Sequence, residues 1–565
     1  MRYQFPTCIR LKKLAFLILA FCIATSSRSQ QLKLNAIGQT EKETAIIDSI
    51  GYVREFPNAK TLEAEALKIP SALQHIGFFN AKLESSTKTS DSTFTYIYNF
   101  GNRTKNIHIY IGKNPELQKN LFAGEKDTLI ATPASLENLL DSKLKLLERT
   151  GFSLAKIKLS NIRQHGNELF ADLDIDPGKT RVFNDIVIQG YDKFPEGHKR
   201  AIKRLYKNRT FNQQTLQELY TDFNKFRFIN QVKYPEILFT TDTTKVFVYL
   251  EKSKPSRFDG LIGFANDDEN AKIVFSGYLD LQLVNFVNTG EEFNLYWKSD
   301  GKEQRTFNVS LELPYIFKSR FGIRAQLNIF KQDSTFQNTK TSAELGYFFN
   351  YNTRVYLGYQ ATESSDIQNQ NSFSINDYNN QFLTVGTSYV NYKSSEFLFP
   401  EKTRLTLKTG IGSRKSNLQK DTQLFAEADL RHNFYLNEKN LVNIRSQDFY
   451  LASSDYTISE LYRFGGINSI RGFNENSLQG NALTSILTEY RYILAPNLYV
   501  HSILDYGYYA DDATGNSGRL LGLGFGFGLL TKTGLLNLVY ANGSTGDQTI
   551  KLSNSVVQLS LKANF

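Results

Sequence analysis

Cysteine is all but missing from this chain. Its 565 residues include two, Cys8 and Cys22, both near the N-terminus. Past residue 22 there is no thiol, which excludes a disulfide framework, thiolate metal ligation and a cysteine nucleophile. Runs of about 20 apolar residues are missing too, so this is not a polytopic helical membrane protein. No Lys/Arg block occurs: 66 basic residues against 56 acidic ones give a thinly spread net charge of +10, and no nucleic-acid patch is expected. Histidine is sparse. His75, His108, His165, His198, His432 and His501 are scattered, none at metal-ligand spacing from another. Neither a Gly-x-Ser-x-Gly elbow nor a Walker loop is present, so no enzyme activity, metal or cofactor is expected. A mean hydropathy of −0.37 and 22% charged residues describe a soluble protein at face value. A membrane β-barrel averages to similar figures, because its strands alternate apolar and polar residues.

What is present begins with a leader. Arg2, Arg10, Lys12 and Lys13 precede an apolar stretch of 11 residues at 14–24, too short to span a bilayer and typical of a signal peptide. Ser26, Ser27 and Ser29 supply small residues for cleavage next to Gln30. A lipoprotein reading of Cys22 is disfavoured by bulky Phe21 before it. With residues 1–30 removed, 61 basic residues face 56 acidic ones, a net of +5, and both cysteines are gone.

The texture changes near residue 255. Upstream, helix-period and strand-period segments alternate around a repeat. Gly77-Phe78-Phe79-Asn80-Ala81-Lys82 returns 74 residues later as Gly151-Phe152-Ser153-Leu154-Ala155-Lys156. Each glycine stands where a helix should end, and strand-like runs follow at 94–100 and 169–175. A looser third copy has Phe226-Arg227-Phe228-Ile229 and a closing strand at 245–250. Leu136, Leu139, Leu140, Leu144 and Leu147 stripe a helix opened by Pro133; Leu216, Leu219, Phe223 and Phe226 stripe another. Short strands open the units at 32–37, 107–111 and 186–188. The reading is three strand-helix-helix-strand-strand modules of about 75 residues each, at 31–102, 103–178 and 179–254. A single irregular α+β domain is the alternative.

Downstream, strand follows strand, with turns rich in Asn, Asp, Ser and Gly. Proline is reduced to Pro314, Pro400 and Pro496, as a backbone that pairs throughout requires. At 555–565, Val557, Leu559, Leu561, Ala563 and Phe565 share one face, and Gln558, Ser560, Lys562 and Asn564 the other. At 403–411, Leu405, Leu407, Thr409 and Ile411 oppose Arg404, Thr406 and Lys408. About 16 strands fit into 255–565, within the even-numbered range of bacterial barrels. The polar stretch 361–380 reads as an outer loop. A soluble sandwich competes, and against it stand the strand lengths, the leader and the terminal aromatic Phe565. The expected fold class is therefore three α+β modules followed by an all-β, 16-stranded antiparallel transmembrane barrel.

One constellation stands out. Arg463-Phe464-Gly465-Gly466-Ile467-Asn468-Ser469-Ile470-Arg471-Gly472-Phe473 is a glycine-rich loop between strand patterns. Downstream come Leu504-Asp505-Tyr506-Gly507 and a strand in which Gly522, Gly524, Gly526 and Gly528 alternate with Leu523, Phe525 and Phe527. One face of that strand is bare and the other suits lipid. A bare inner face makes room for another backbone, and a long loop folded into the lumen is the natural tenant. Asp505 shares parity with His501, Ile503 and Gly507, so it should point inward, where Arg471 can meet it in a charge-assisted pair.

These residues resemble the outer-membrane assembly family that includes BamA, TamA and the two-partner secretion transporters. That family's inward-loop motif Arg-Gly-Phe/Tyr is matched by Arg471, Gly472 and Phe473. Its docking-strand motif Phe-x-Asp-x-Gly is matched by Asp505 and Gly507, with Ile503 in place of the phenylalanine. Three modules and the overall length look most like TamA. The resemblance implies periplasmic POTRA modules, a 16-stranded barrel in the outer membrane of a diderm bacterium, and a factor that inserts outer-membrane proteins. Its clients would be unfolded outer-membrane proteins, received by β-augmentation at POTRA edges and at a lateral seam between the first strand, 258–266, and the last, 556–565. The seam residues are then Phe258, Leu261, Val557, Leu559, Leu561 and Phe565. The bilayer is a partner, nucleic acid is not, and a periplasmic partner on the first module is left open. A pore secreting one dedicated exoprotein and a passive porin-like barrel stay as alternatives. The former usually has two modules and a plug helix, and an inward loop would obstruct the latter.

Overall fold

The two textures of the sequence fold as two kinds of structure in this computed structural model, which describes residues 31–112, 121–122, 127–266, 273–300, 304–369, 375–393, 396, 398–416, 419–531, 534–546 and 555–564. The leader expected at 1–30 and the terminal Phe565 lie outside the described residues.

One compact unit runs to Arg181 and includes Thr210–Gln213. It contains two four-stranded sheets. In the first, Leu32–Gly38 lies parallel to Thr93–Asn99 at the centre, flanked by Glu55–Phe56 and Lys82–Lys88. A parallel pair needs a crossover, and the helices Glu41–Ile50, Ala59–Ala66 and Ile69–His75 supply it. Thr40 and Glu43 close a capping box on the first of these helices. Leu34, Ala36, Ile47, Leu62, Leu73 and Tyr98 form the core between sheet and helices. In the second sheet Asn106–Tyr110 pairs parallel with Glu168–Asp176, and Thr128–Ala131 and Lys156–His165 lie outside them. The expected plan lacked the small strands Glu55–Phe56 and Thr128–Ala131. Each pairs antiparallel on its module's opening strand and covers that strand's free edge.

The repeated glycines have one structural role. Gly77 and Gly151 both adopt positive φ, +106° and +100°. The Gly77 carbonyl accepts the Thr104 N–H at 2.8 Å, and the Gly151 carbonyl accepts that of Arg181 at 2.8 Å. Each helix end thus tethers the chain leaving its own module. In the third copy the Phe228 carbonyl does the same for Ser253 at 3.1 Å.

The other unit comprises Val182–Arg209 and Gln214–Phe565. It begins with a three-stranded sheet in which Thr244–Lys252 is central, between Ile229–Phe239 and Asp185–Gln189, with the helices Glu196–Tyr206 and Gln213–Phe223. A closed antiparallel barrel of sixteen strands follows, from Arg257–Asn266 to Ser555–Asn564. The alternation resolves as the sequence requires. Leu504, Tyr506, Leu523 and Phe525 face outward and are exposed, whereas His501, Ile503 and Asp505 are buried inside. Pro314, Pro400 and Pro496 all fall between strands. The outer loop expected at 361–380 is shorter. Strand Thr353–Asp366 continues through Ala361, which pairs with Thr341, and Tyr378 already belongs to the next strand. Ser, Thr and Gln occupy strand positions there because the inner wall is polar, and composition alone cannot separate such residues from a loop.

The third module is bolted to the barrel within this unit. Asn285 Nδ2 donates to Tyr191 Oη at 2.9 Å, and the Tyr191 hydroxyl donates to Asn288 at 3.1 Å. His198 is buried among Phe226, Phe228, Tyr315 and Tyr351. A Cβ on Gly290 would lie 2.1 Å from its ring. Burial, with Arg354 nearby, holds the imidazole neutral, its pKa lowered to about 3. A free imidazole takes its proton near pH 6.5, so acid favours the undocked state and the docked state is fully favoured only above that pH. We expect docking to weaken by about 2 kcal/mol between pH 7 and pH 5. Hydrogen exchange of the 285–291 amides should read this, and His198→Leu should remove the pH dependence.

Candidate functional site

The connection 453–481 joins strands Asn440–Ala452 and Ala482–Ala495 and folds into the lumen. A 3-10 turn, Ile458–Glu460, and a small hairpin of Tyr462–Phe464 with Leu478–Gly480 stiffen it. Phe464 and Ile470 pack on Phe382, Phe425, Phe449 and Leu483, apolar residues that point inward from the wall, and Phe473 packs against this cluster.

Arg471 is the loop's most heavily bonded residue. Its backbone N–H donates to Asp505 Oδ2 at 2.9 Å, its Nε to the same oxygen at 2.8 Å, and its Nη2 to Oδ1 at 2.5 Å. Nη1 pairs with Glu489, whose other oxygen accepts from Arg491 Nε at 2.6 Å. Arg471 is 6% exposed and Asp505 0%. A guanidinium so placed holds both carboxylates in a geometry that a point charge cannot reproduce.

Glycines let the loop backbone lie against the wall. Gly472 has φ +91°, and a Cβ on it would come within 2.3 Å of Asn542 and Gly543 backbone atoms. A Cβ on Gly522 would lie 2.4 Å from the Arg471 carbonyl oxygen, and one on Gly507 2.5 Å from Ile470 Cδ1. Gly465 and Gly466, both at positive φ, turn the chain close to Asn474 and Glu475. The other wall glycines differ from expectation. Gly524 faces Tyr540 and Ala541, Gly526 the His501 ring and Gly528 the Tyr499 ring. Those positions admit cross-strand neighbours, so the loop uses only the Gly522 end of the bare face. Ile467 covers the adjoining patch of Ile503, Val539 and Ala541.

Sequence reasoning missed three further anchors. Glu475 accepts from Tyr296 Oη at 2.8 Å and pairs with Lys298, on the wall near the first strands. The Asn468 carbonyl accepts from Arg445 Nη1 at 2.6 Å, and Arg445 is itself held by Asp429. Arg414, a fully buried wall residue, pairs with Asp421 at 2.5 Å and with Glu460 of the loop. Gln423 Nε2 also donates to Glu460, at 2.8 Å. Arg414 shares strand parity with Arg404, Thr406 and Lys408, which is a readable signal, but nothing in the sequence names its partner 46 residues away.

Among the described residues the seam is the barrel's shortest ladder. There the first and last strands pair at Arg257 with Asn564 and at Phe258 with Ala563. The ladders on either side run ten and eight residue pairs. Beyond them the contact is a side-chain one: Asp259 Oδ1 accepts the Leu561 N–H at 3.4 Å and the Tyr278 hydroxyl at 2.8 Å. Phe258, Val557, Leu559 and Leu561 face outward and are exposed. Leu261 is on the first strand, but its side chain lies outside the described set, as does Phe565. Among the described residues no group of three or more His, Cys, Asp or Glu could hold a metal ion.

No protein-family model and no curated protein matches the chain. Among solved structures it is similar to CdiB from Acinetobacter baumannii, at TM-score 0.50 and 15% identity over 82% of this chain and 90% of that one. CdiB from Escherichia coli aligns at TM-score 0.49 and 14% identity over 92% and 98%. BamA from Haemophilus ducreyi, lacking POTRA domains 1–3, aligns at 0.48 and 15% over 82% and 100%. At such identities the likeness is one of fold: α/β modules followed by a closed 16-stranded antiparallel barrel.

Two outcomes follow from the pinned loop. Arg471→Ala leaves Asp505 and Glu489 buried with one cation fewer, and should cost about 3–5 kcal/mol in denaturant unfolding of the detergent-solubilised protein. Adding Asp505→Ala should cost much less than the sum of the single changes, whereas additive costs would show the two residues uncoupled. Gly472→Ala should lift the loop from the wall. An Asn468→Cys probe should then react faster with a thiol reagent than it does beside the native glycine.

Proposed function

We propose that the protein inserts β-strand proteins into the outer membrane of a diderm bacterium, with its α/β modules in the periplasm. The observation that carries this reading is the seam, joined among the described residues at two residue pairs between ladders of ten and eight. In lipid each unpaired backbone group costs several kcal/mol, so an edge that parts easily invites another strand. An incoming strand satisfies that edge by β-augmentation, and the gain in pairing and membrane burial drives insertion without an external energy source. The pinned loop supports the same reading. It fills the lumen and ties the wall at Asp505 to the wall at Tyr296 and Lys298, which lets the seam part without collapse of the barrel. The similarity of fold to BamA and CdiB is compatible with this role. The clients are unfolded outer-membrane proteins, and no catalytic step is involved.

Depletion of the protein, followed by quantitative profiling of the outer membrane, tests the reading. Loss of many barrel proteins is expected. Loss of a single secreted protein would point to a dedicated secretion pore, and an unchanged profile would contradict both.

A further inference from the structure

Away from the seam, the lipid-facing wall carries a groove of about 710 Å³ across the strands from Thr353–Asp366 to Leu498–Asp511. Its floor is made of small side chains, among them Thr387, Thr409, Ala426, Ala428 and Thr484. Two of these threonines present methyl groups, because their hydroxyls turn back onto strand carbonyls: Thr387 to Arg354 at 3.0 Å and Thr409 to Phe425 at 2.9 Å. Asp448 is different. Its neighbour Phe449 packs inside the barrel, so strand alternation turns the Asp448 carboxyl outward into the groove. There it accepts the Thr484 hydroxyl at 2.6 Å and the Ser446 hydroxyl at 2.7 Å. Exposed Leu407, Leu424, Leu430, Ile444, Tyr450 and Ile486 surround it on the same outer surface.

A carboxyl among lipid-facing apolar side chains is costly, and ionisable groups inside membranes are found paired. Two neutral hydroxyls orient this carboxyl without balancing its charge. Acyl chains offer no cation, and lipid headgroups sit at the bilayer surface, away from the ring of apolar side chains. The small-residue floor lets a second polypeptide approach closely, as in membrane packing generally. We propose that this groove receives a membrane-embedded segment of a partner protein that presents one basic side chain to Asp448. The inference rests on the barrel lying in a membrane and is independent of the insertion activity.

The test uses the protein prepared without residues 1–30, and so without Cys8 and Cys22, in phosphatidylcholine vesicles, labelled with a fluorophore at Leu430→Cys. The probes are two synthetic Leu/Ala membrane-spanning peptides bearing a quencher, one with a central lysine and one with leucine there. The lysine peptide should quench at about tenfold lower peptide-to-lipid ratio than the leucine peptide. Asp448→Asn should abolish that preference, and Ala428→Phe, which keeps the carboxyl but fills the groove, should abolish quenching by both peptides. Equal quenching of the unsubstituted groove by both peptides would overturn the proposal, as would a lysine preference that survives Asp448→Asn. A peptide-free signal that responds to added phosphatidylethanolamine would assign the groove to a lipid amine instead, and two-step bleaching of single particles would assign it to a second copy of this chain; either also overturns the proposal.

Discussion

In the proposed membrane setting, everything in the barrel follows from the absence of water around its wall. A backbone N–H or carbonyl left unpaired in hydrocarbon costs several kcal/mol, so strands must pair on both edges and the sheet must close. Among the described residues fifteen of the sixteen junctions obey this over long ladders, and the seam does not. The deficit is thus localised at one place, and under the proposed function that is where a strand of another protein has something to gain. Proline confined to the turns and the strict alternation of outward residues are consequences of the same constraint.

The lumen solves a second problem, that of holding a loop of nearly thirty residues in one conformation. Apolar packing around Phe464 and Ile470 supplies burial but little direction. Direction comes from buried ion clusters at two levels, Arg414 with Glu460 and Arg471 with Asp505 and Glu489. Such pairs are poor sources of net stability because desolvation offsets much of their attraction. Their geometric demands are strict, and here they fix which loop residue meets which strand. The arrangement runs in both senses: in one cluster the wall supplies the arginine and the loop the acid, and in the other the loop supplies the arginine.

Parity made much of this legible in the sequence. Asp505 stands between Leu504 and Tyr506, and only one of the two faces could be wet. The regular glycines from Gly522 to Gly528 announced a bare face, although their neighbours Tyr499 and His501, distant in sequence, decide what fills it. Where inward residues are themselves apolar, alternation fails. Phe382 points into the lumen beside outward Leu383, and no period distinguishes them. Partnerships between remote charges, such as Arg414 with Glu460 or Lys298 with Glu475, stayed hidden for another reason. They depend on where the loop lies in three dimensions, and the sequence records only that each residue is charged. The repeated glycine of the first two modules was visible as a helix stop, while its carbonyl's tether to Thr104 or Arg181 was not.

The most direct test of the account is to lock the seam. Residues past Cys22 include no cysteine, so in protein prepared without residues 1–30 Phe258→Cys with Ala563→Cys, a registered pair across the seam, makes the only disulfide available. Leu281→Cys with Leu295→Cys, a registered pair in a long ladder, serves as the control. In reconstituted vesicles the oxidised seam pair should stop insertion of an unfolded barrel client and reductant should restore it, with the control pair active throughout. Client insertion at an unchanged rate through an oxidised seam would contradict the account.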